Sequence, residues 1–268
     1  MTTLKSIATS NRQLSVRDEG QGDVLLFVHG FPLDHSMWNA QVDHFAPTHR
    51  CLAVDLAGFG KSDISSGTLT MGEMADDLAL LLATLQISSP VTLCGLSMGG
   101  YVAWQFWKRY PAFLSALILC DTRAIADTPE GREGRLKTAD RVEAEGPSFL
   151  AEEMLPKLYS KKTQTARPEL IQATRTLIES NSAAGIAAAA RGMAARPDVT
   201  SWLPEIEVPA LLITGEDDAI SPPSEMAGIA TAIPDAEHVV IPNAGHMAPQ
   251  EQPEATNAAI ARFLERLK

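Results

Sequence analysis

The sequence predicts an α/β protein with a mostly parallel central sheet, helices on both faces and one inserted helical segment. Three observations carry this. Short apolar, partly β-branched runs alternate with stretches of helical periodicity along most of the 268 residues. The alternation breaks between Arg123 and Ser201, a stretch rich in Ala, Glu, Arg and Lys. Finally, the motifs rich in Gly, Ser, His and Asp all fall at the carboxyl ends of predicted strands, where open parallel sheets bind ligands.

Lys5 to Ile7 and Arg12 to Asp18 read as an opening antiparallel pair. Strands are expected next at 24–29, 51–55, 91–96, 116–120, 210–214 and 238–241, with helices near 36–46, 70–86, 98–109, 222–232 and 253–267. Thr70-Met71-Gly72-Glu73 has capping-box spacing and opens the second helix. In the third, Val102, Ala103, Phe106 and Trp107 are spaced for an inner face. Ser221-Pro222 offers the fourth an N-cap serine and a first-turn proline. The interrupting segment shows helical patterns at 132–145, 149–160, 168–180 and 183–195, the last containing the alanine run Ala187 to Ala190. This divides the chain into an α/β core, 1–122 and 202–268, and a helical insert, 123–201.

Thirty-three acidic against 22 basic residues give a net charge of −11. That disfavours nucleic acid and anionic membrane surfaces as partners. No apolar run approaches the length of a membrane span, and Met1 to Lys5 open no apolar leader. Cys51, Cys94 and Cys120 each lie in or beside a predicted central strand, so they read as free buried thiols of a reducing, cytoplasmic compartment. No H-E-x-x-H, C-x-x-C or Walker-type loop appears, so no metal, nucleotide or other cofactor is implied.

Gly95-Leu96-Ser97-Met98-Gly99 is the most informative stretch. It joins the strand-like Val91-Thr92-Leu93-Cys94 to the helix from Gly100 to Tyr110. A sharp strand-to-helix turn with serine at the bend needs neighbours without a Cβ, and Gly95 and Gly99 supply them. This is the pattern and the context of a G-x-S-x-G nucleophile elbow. Three other segments accompany it: His29-Gly30-Phe31-Pro32 after the run Val24 to Val28, Asp55-Leu56-Ala57-Gly58-Phe59-Gly60-Lys61-Ser62 after Cys51 to Val54, and Gly215-Glu216-Asp217-Asp218 followed by Asn243-Ala244-Gly245-His246.

With these four segments the chain resembles the α/β-hydrolase family, from about Val24 to the final helix. The order serine, acid, histidine along the chain is the order of that fold. The resemblance implies that the insert at 123–201 is a helical cap. It implies Ser97 as nucleophile and His246 as its base, and it points to Asp218 as the acid that fixes the histidine tautomer. Asp121, after the preceding central strand, and Asp217 are the rival acids. The resemblance places the oxyanion hole at the backbone amides of Phe31 and Met98, the latter at a helix N-terminus whose dipole favours an anion. His29 is expected to be structural, and His35, His44, His49 and His238 to be surface or packing residues. The loop from Asp55 to Ser62 is read as structural.

Serine at the elbow, rather than aspartate or cysteine, separates the chain from dehalogenase-, epoxide-hydrolase- and dienelactone-hydrolase-like relatives. The wording of the His29 and Gly95 motifs resembles the small esterase and 3-oxoadipate enol-lactonase branch. The resemblance thus implies a small carboxylic ester or lactone as substrate, cleaved through an acyl-enzyme. Two other readings use the same triad: hydrolysis of a carbon–carbon bond in a β-diketone-like substrate, and slow turnover in a ligand-binding signalling protein. In the insert, Met154, Leu155, Leu158, Leu177, Ile178 and Met193 are spaced for an inner face. Trp38, Met154, Leu158, Leu177 and Met193 are the expected pocket residues.

Overall fold

A computed structural model of the chain describes residues 4–64 and 66–267. The reading that the chain opens without an apolar leader rests partly on Met1 to Thr3, outside the described residues. The strands are β1 (Leu4–Ala8), β2 (Gln13–Glu19), β3 (Val24–Val28), β4 (Arg50–Val54), β5 (Val91–Leu96), β6 (Leu114–Cys120), β7 (Ala210–Gly215) and β8 (Ala236–Ile241). They form one sheet of eight strands in the order β1-β2-β4-β3-β5-β6-β7-β8. β1, β2 and β4 pair antiparallel, which bears out the expected opening pair, and every pairing from β4 to β8 is parallel. β3 and β5 are buried at every residue, as central strands covered on both faces must be.

The helices are α1 (Asn39–Phe45), α2 (Met71–Thr84), α3 (Met98–Arg109), α4 (Pro129–Glu145), α5 (Ser148–Leu158), α6 (Lys161–Ala166), α7 (Pro168–Ser180), α8 (Ala183–Ala194), α9 (Pro223–Ala232), α10 (Ala248–Glu251) and α11 (Pro253–Arg266). Alternate residues of each strand feed two cores. Leu26 and Val28 join α2 and α3 in one, while Leu25 and Phe27 join α1 and α11 in the other. The Thr70 capping box is present, with both reciprocal hydrogen bonds made. Among the described residues no helix is long and apolar enough to cross a membrane.

Two local expectations are corrected, and two short helices were not foreseen. Residues 36–46 are not one helix: a 3-10 turn over His35–Trp38, capped by the Asp34 carboxylate, leads into α1. α6 and α10, of six and four residues, are too short to show a periodicity. Ser221 does not cap α9, whose N-cap is Pro222 with Pro223 in the first turn. Its amide and hydroxyl are engaged elsewhere, donating to Asp218 Oδ1 and to the Asp121 carbonyl.

All five helices α4 to α8 fall between β6 and β7. One of their attachments to the α/β core is the loop after β4. Gly58 (φ +87°) lies backbone to backbone against Gly185 of α8, and a Cβ on Gly185 would fall on the Gly58 carbonyl. The Leu69 amide donates to the Ala188 carbonyl (3.1 Å). The loop over Asp55 to Ser62 is therefore structural, and its glycine is fixed by a helix far along the chain.

Gly185→Ala is expected to lower stability by about 1–3 kcal/mol, because the added methyl forces α8 off the loop. Gly134→Ala, in α4 with nothing within 4 Å of the new Cβ, is expected to raise it by about 0.5–1 kcal/mol through helix propensity. Urea unfolding of the two variants measures both.

Candidate active site

β5 ends at Leu96 and α3 begins at Met98, so the reversal is made at Ser97 alone, with φ +54° and ψ −110°. A side-chain-bearing residue at such a φ is strained and persists only where its surroundings hold it. Here the Ser97 amide donates to the Cys120 carbonyl (2.9 Å), and the Ser97 carbonyl accepts from Thr122 Oγ1 (2.7 Å) and the Gly100 amide (2.9 Å). A Cβ on Gly95 would collide with the Gly99 backbone, and one on Gly99 with the Val28 carbonyl. The two glycines are thus required by close approach of three chain segments. Ser97 is half-buried within a run that is otherwise buried from Val91 to Gly100.

The loops after β7 and β8 bring Asp218 and His246 together. Asp218 Oδ1 accepts from the amides of Ile220 (2.8 Å) and Ser221 (3.1 Å), and Oδ2 lies 2.9 Å from His246 Nδ1. Both side chains are nearly inaccessible. Burial pushes the Asp218 carboxyl up, but the charge and hydrogen bond of His246 and the two amides outweigh it and hold it below its ordinary value. Asp218 is therefore an acceptor at neutral pH. That places the histidine proton on Nδ1 and leaves Nε2 with its lone pair. Asp217, the neighbouring rival, is exposed. Asp121 is buried beside the pair, with one ligating atom each from Asp121, Asp218 and His246 lying within 4.8 Å of one another.

The loop after β3 approaches the elbow from the other side. A Cβ on Gly30 would stand 3.5 Å from the Ser97 Cβ, so the Gly30-Phe31 backbone passes beside the serine. Met98 contributes the first amide of α3, one of the four at a helix start that have no partner within the helix. His29 is structural, as expected. Its Nε2 accepts from the Leu56 amide (3.0 Å), Nδ1 donates to the Gly30 carbonyl (2.9 Å), and burial lowers its pKa. His35 is half-buried, and its Nδ1 lies 2.6 Å from Asp55 Oδ1. Burial draws the imidazole pKa down, but the Asp55 hydrogen bond and charge raise it on balance. Asp55 also takes the amides of His35 and Lys61, so the pair fastens the loop after β3 to the loop after β4.

Of the expected pocket residues, Trp38, Leu158 and Met193 have at most 1% of their surface exposed. They cannot line open space. Trp38 instead packs on Phe27, with ring centroids 5.2 Å apart, and Leu158 joins it in the same core. Met193 lies in the opposite core. Their apolar character was legible, but helical spacing does not separate a face against protein from a face against a cavity. Met154 and Leu177 keep partial exposure. A surface groove of about 430 Å³ lined by Arg123, Ile125, Leu203, Glu225 and Ile229 contains none of Ser97, Asp218 and His246.

Two further residues tie the site together. Glu251 is buried; its Oε1 accepts from the Gly245 amide (2.7 Å), next to His246, and its Oε2 from the Ser160 amide (2.9 Å), at the start of α6. Asn181 accepts from the Gly60 amide (2.8 Å) and donates to the Pro32 carbonyl (2.9 Å). Neither lies in a local motif; both join segments distant in sequence. Among the described residues, two groups have donor sets that could meet a cation, Asp34-His35-Asp55 and Asp121-Asp218-His246. In each the histidine already has its carboxylate partner, which suits loop anchoring and proton handling.

Glu251→Leu leaves two buried amides without an acceptor and is expected to cost about 2 kcal/mol or more. Glu251→Gln, which keeps one acceptor oxygen, should fall between the two. Denaturant midpoints rank the three proteins.

A family profile described as the alpha/beta hydrolase fold matches residues 23–253. A thermophilic esterase from Thermogutta terrifontis, solved with malate bound, is 46% identical, with a TM-score of 0.96 and 99% of each chain covered. The enol-lactonase from Burkholderia xenovorans LB400 is 27% identical, with a TM-score of 0.91, covering 97% of this chain and 100% of its own. The sequence is also 28% identical over 273 aligned positions to 3-oxoadipate enol-lactonase 1 of Acinetobacter baylyi, covering all of both chains.

Proposed function

This chain belongs to the α/β-hydrolase fold family, and from that premise we propose that it hydrolyses a small carboxylic ester or lactone with Ser97, His246 and Asp218 as its catalytic triad. The observation that carries the reading is a pairing: a serine held at positive φ on the elbow, and a buried histidine whose Nδ1 is engaged by an ionised aspartate. The esterase and enol-lactonase relatives support the substrate class.

In this reading Ser97 Oγ attacks the carbonyl carbon while His246 Nε2 takes its proton. The amides of Phe31 and Met98 receive the oxyanion, where fixed donors stabilise charge that develops only in the transition state. Collapse breaks the carbon–oxygen bond, and the alcohol leaves with the proton from His246. Water, deprotonated by the same nitrogen, then attacks the acyl-serine and releases the acid. A lactone follows the same steps, except that its alcohol stays attached to the acyl chain and leaves with the acid as one hydroxy acid. The helices between β6 and β7 serve as the cap over this site, with Met154 and Leu177 the residues offered to the acyl or alcohol portion.

Turnover of p-nitrophenyl acetate by single variants tests the roles. Ser97→Ala and His246→Ala are each expected to lower kcat by roughly 10⁶, since members of a triad act as a unit. Asp218→Asn should cost roughly 10⁴ by favouring the wrong tautomer, and the exposed Asp217→Asn far less. In the native enzyme kcat/KM should fall as pH is lowered and the imidazole is protonated, because the base acts only when neutral. Asp218, held below the usual carboxylate range, stays charged through that protonation. A profile flat from acid to alkaline pH contradicts histidine as the base.

A further inference from the structure

Asp121 is a carboxyl group that the proposed reaction leaves without a task. It follows β6 directly, has no accessible surface, and sits at φ +46°. Its backbone is used on both sides: its amide donates to the Ile213 carbonyl (2.9 Å), and its carbonyl accepts from Ser221 Oγ (3.0 Å). Oδ1 accepts from the Gly215 amide (2.8 Å). Oδ2 is buried and receives no hydrogen bond.

The titratable groups that face it come from four segments: Cys120 on β6, Cys94 on β5 against that thiol, Asp218 after β7 and His246 after β8. None of them is a permanent cation. Two carboxylates this close in a dry site repel strongly, and an orphaned buried oxygen is costly. A single proton removes both problems. It neutralises one acid and gives the orphaned oxygen a proton to donate, with the Asp218 carboxylate close by.

We propose that Asp121 is a positioning residue of the triad, whose protonated carboxyl donates a hydrogen bond to the Asp218 carboxylate and thereby limits how strongly Asp218 holds the imidazolium of His246. The inference rests on the triad reading above. It is supported by the surroundings of the group: burial, then the charge of Asp218, holds the Asp121 carboxyl well above its ordinary range. Ser221 strengthens the arrangement, since one residue anchors both acids through its amide to Asp218 and its hydroxyl to the Asp121 carbonyl.

The test compares Asp121→Asn with Asp121→Ala. Asparagine tolerates positive φ, can accept from the Gly215 amide and can donate to Asp218, so it imitates a protonated aspartic acid. The readouts are the acid limb of kcat/KM and the NMR titration of the His246 ring in resting protein, assigned with His246→Gln. The ring titration does not depend on ester turnover, so a failure of the nucleophile assignment is read separately. Asp121→Asn is expected to leave both midpoints within about 0.3 unit of native. Asp121→Ala, which removes the donor, is expected to raise both by about one unit.

Two results overturn the proposal. If Asp121 is ionised in the native protein, Asp121→Asn removes a full charge within 4.8 Å of the ring and lowers the midpoints by about two units. If Asp121 only packs, Asp121→Ala changes stability and leaves both midpoints in place. Should the alanine variant fail to fold, infrared spectroscopy of the native protein at neutral pH decides the matter. A protonated-carboxyl band lost in Asp121→Asn supports the proposal, and no difference between the two spectra refutes it.

Discussion

The structure depends on one backbone constraint: a serine must stand at φ +54° where β5 turns into α3. That turn exists only because three stretches of main chain come closer than any side chain allows. Gly95 meets Gly99, and Gly99 meets the carbonyl of Val28 at the end of β3. The strain is offset by the hydrogen bonds of Cys120 and Thr122, both at the end of β6. The three central parallel strands β3, β5 and β6 are therefore fixed in relation to the elbow, and their carboxyl ends form the floor of the site.

The same strand end reaches the other half of the site. Thr122 holds the carbonyl of Ser97, while its neighbour Asp121 stands beside Asp218 and His246. One dipeptide thus connects the proposed nucleophile with the proposed base and acid, although the three come from different strands. The insert is tied in with comparable economy. Glu251 joins the His246 loop to α6, Asn181 joins the loop after β3 to the loop after β4, and Gly58 rests on Gly185. These contacts connect the insert to the loops that carry His246 and Phe31.

What the sequence revealed, and what it hid, follows from the range of the interactions. The elbow was legible because its demands are local: a small residue two before and two after the serine, a strand ahead and a helix behind. The bounds of β5, α3 and α7 follow from the same kind of local signal. The Asp218–His246 pair needed the resemblance, since nothing within either segment names its partner across 28 positions. Glu251, Asn181 and the second use of Ser221 were hidden because each serves amides far away in the chain. Trp38 and Met193 were misplaced for a different reason. A large apolar side chain has the same pattern against protein as against a pocket, and only their absence of accessible surface separates the two.

The central claim is that Ser97 becomes acylated. Brief mixing with p-nitrophenyl acetate, acid quenching and mass spectrometry of the intact and digested protein test it directly. The account predicts a single acetyl adduct that appears within the first turnover and maps to Ser97. Ester hydrolysis with the adduct on another residue, or with no covalent adduct under conditions that trap it, would contradict the account.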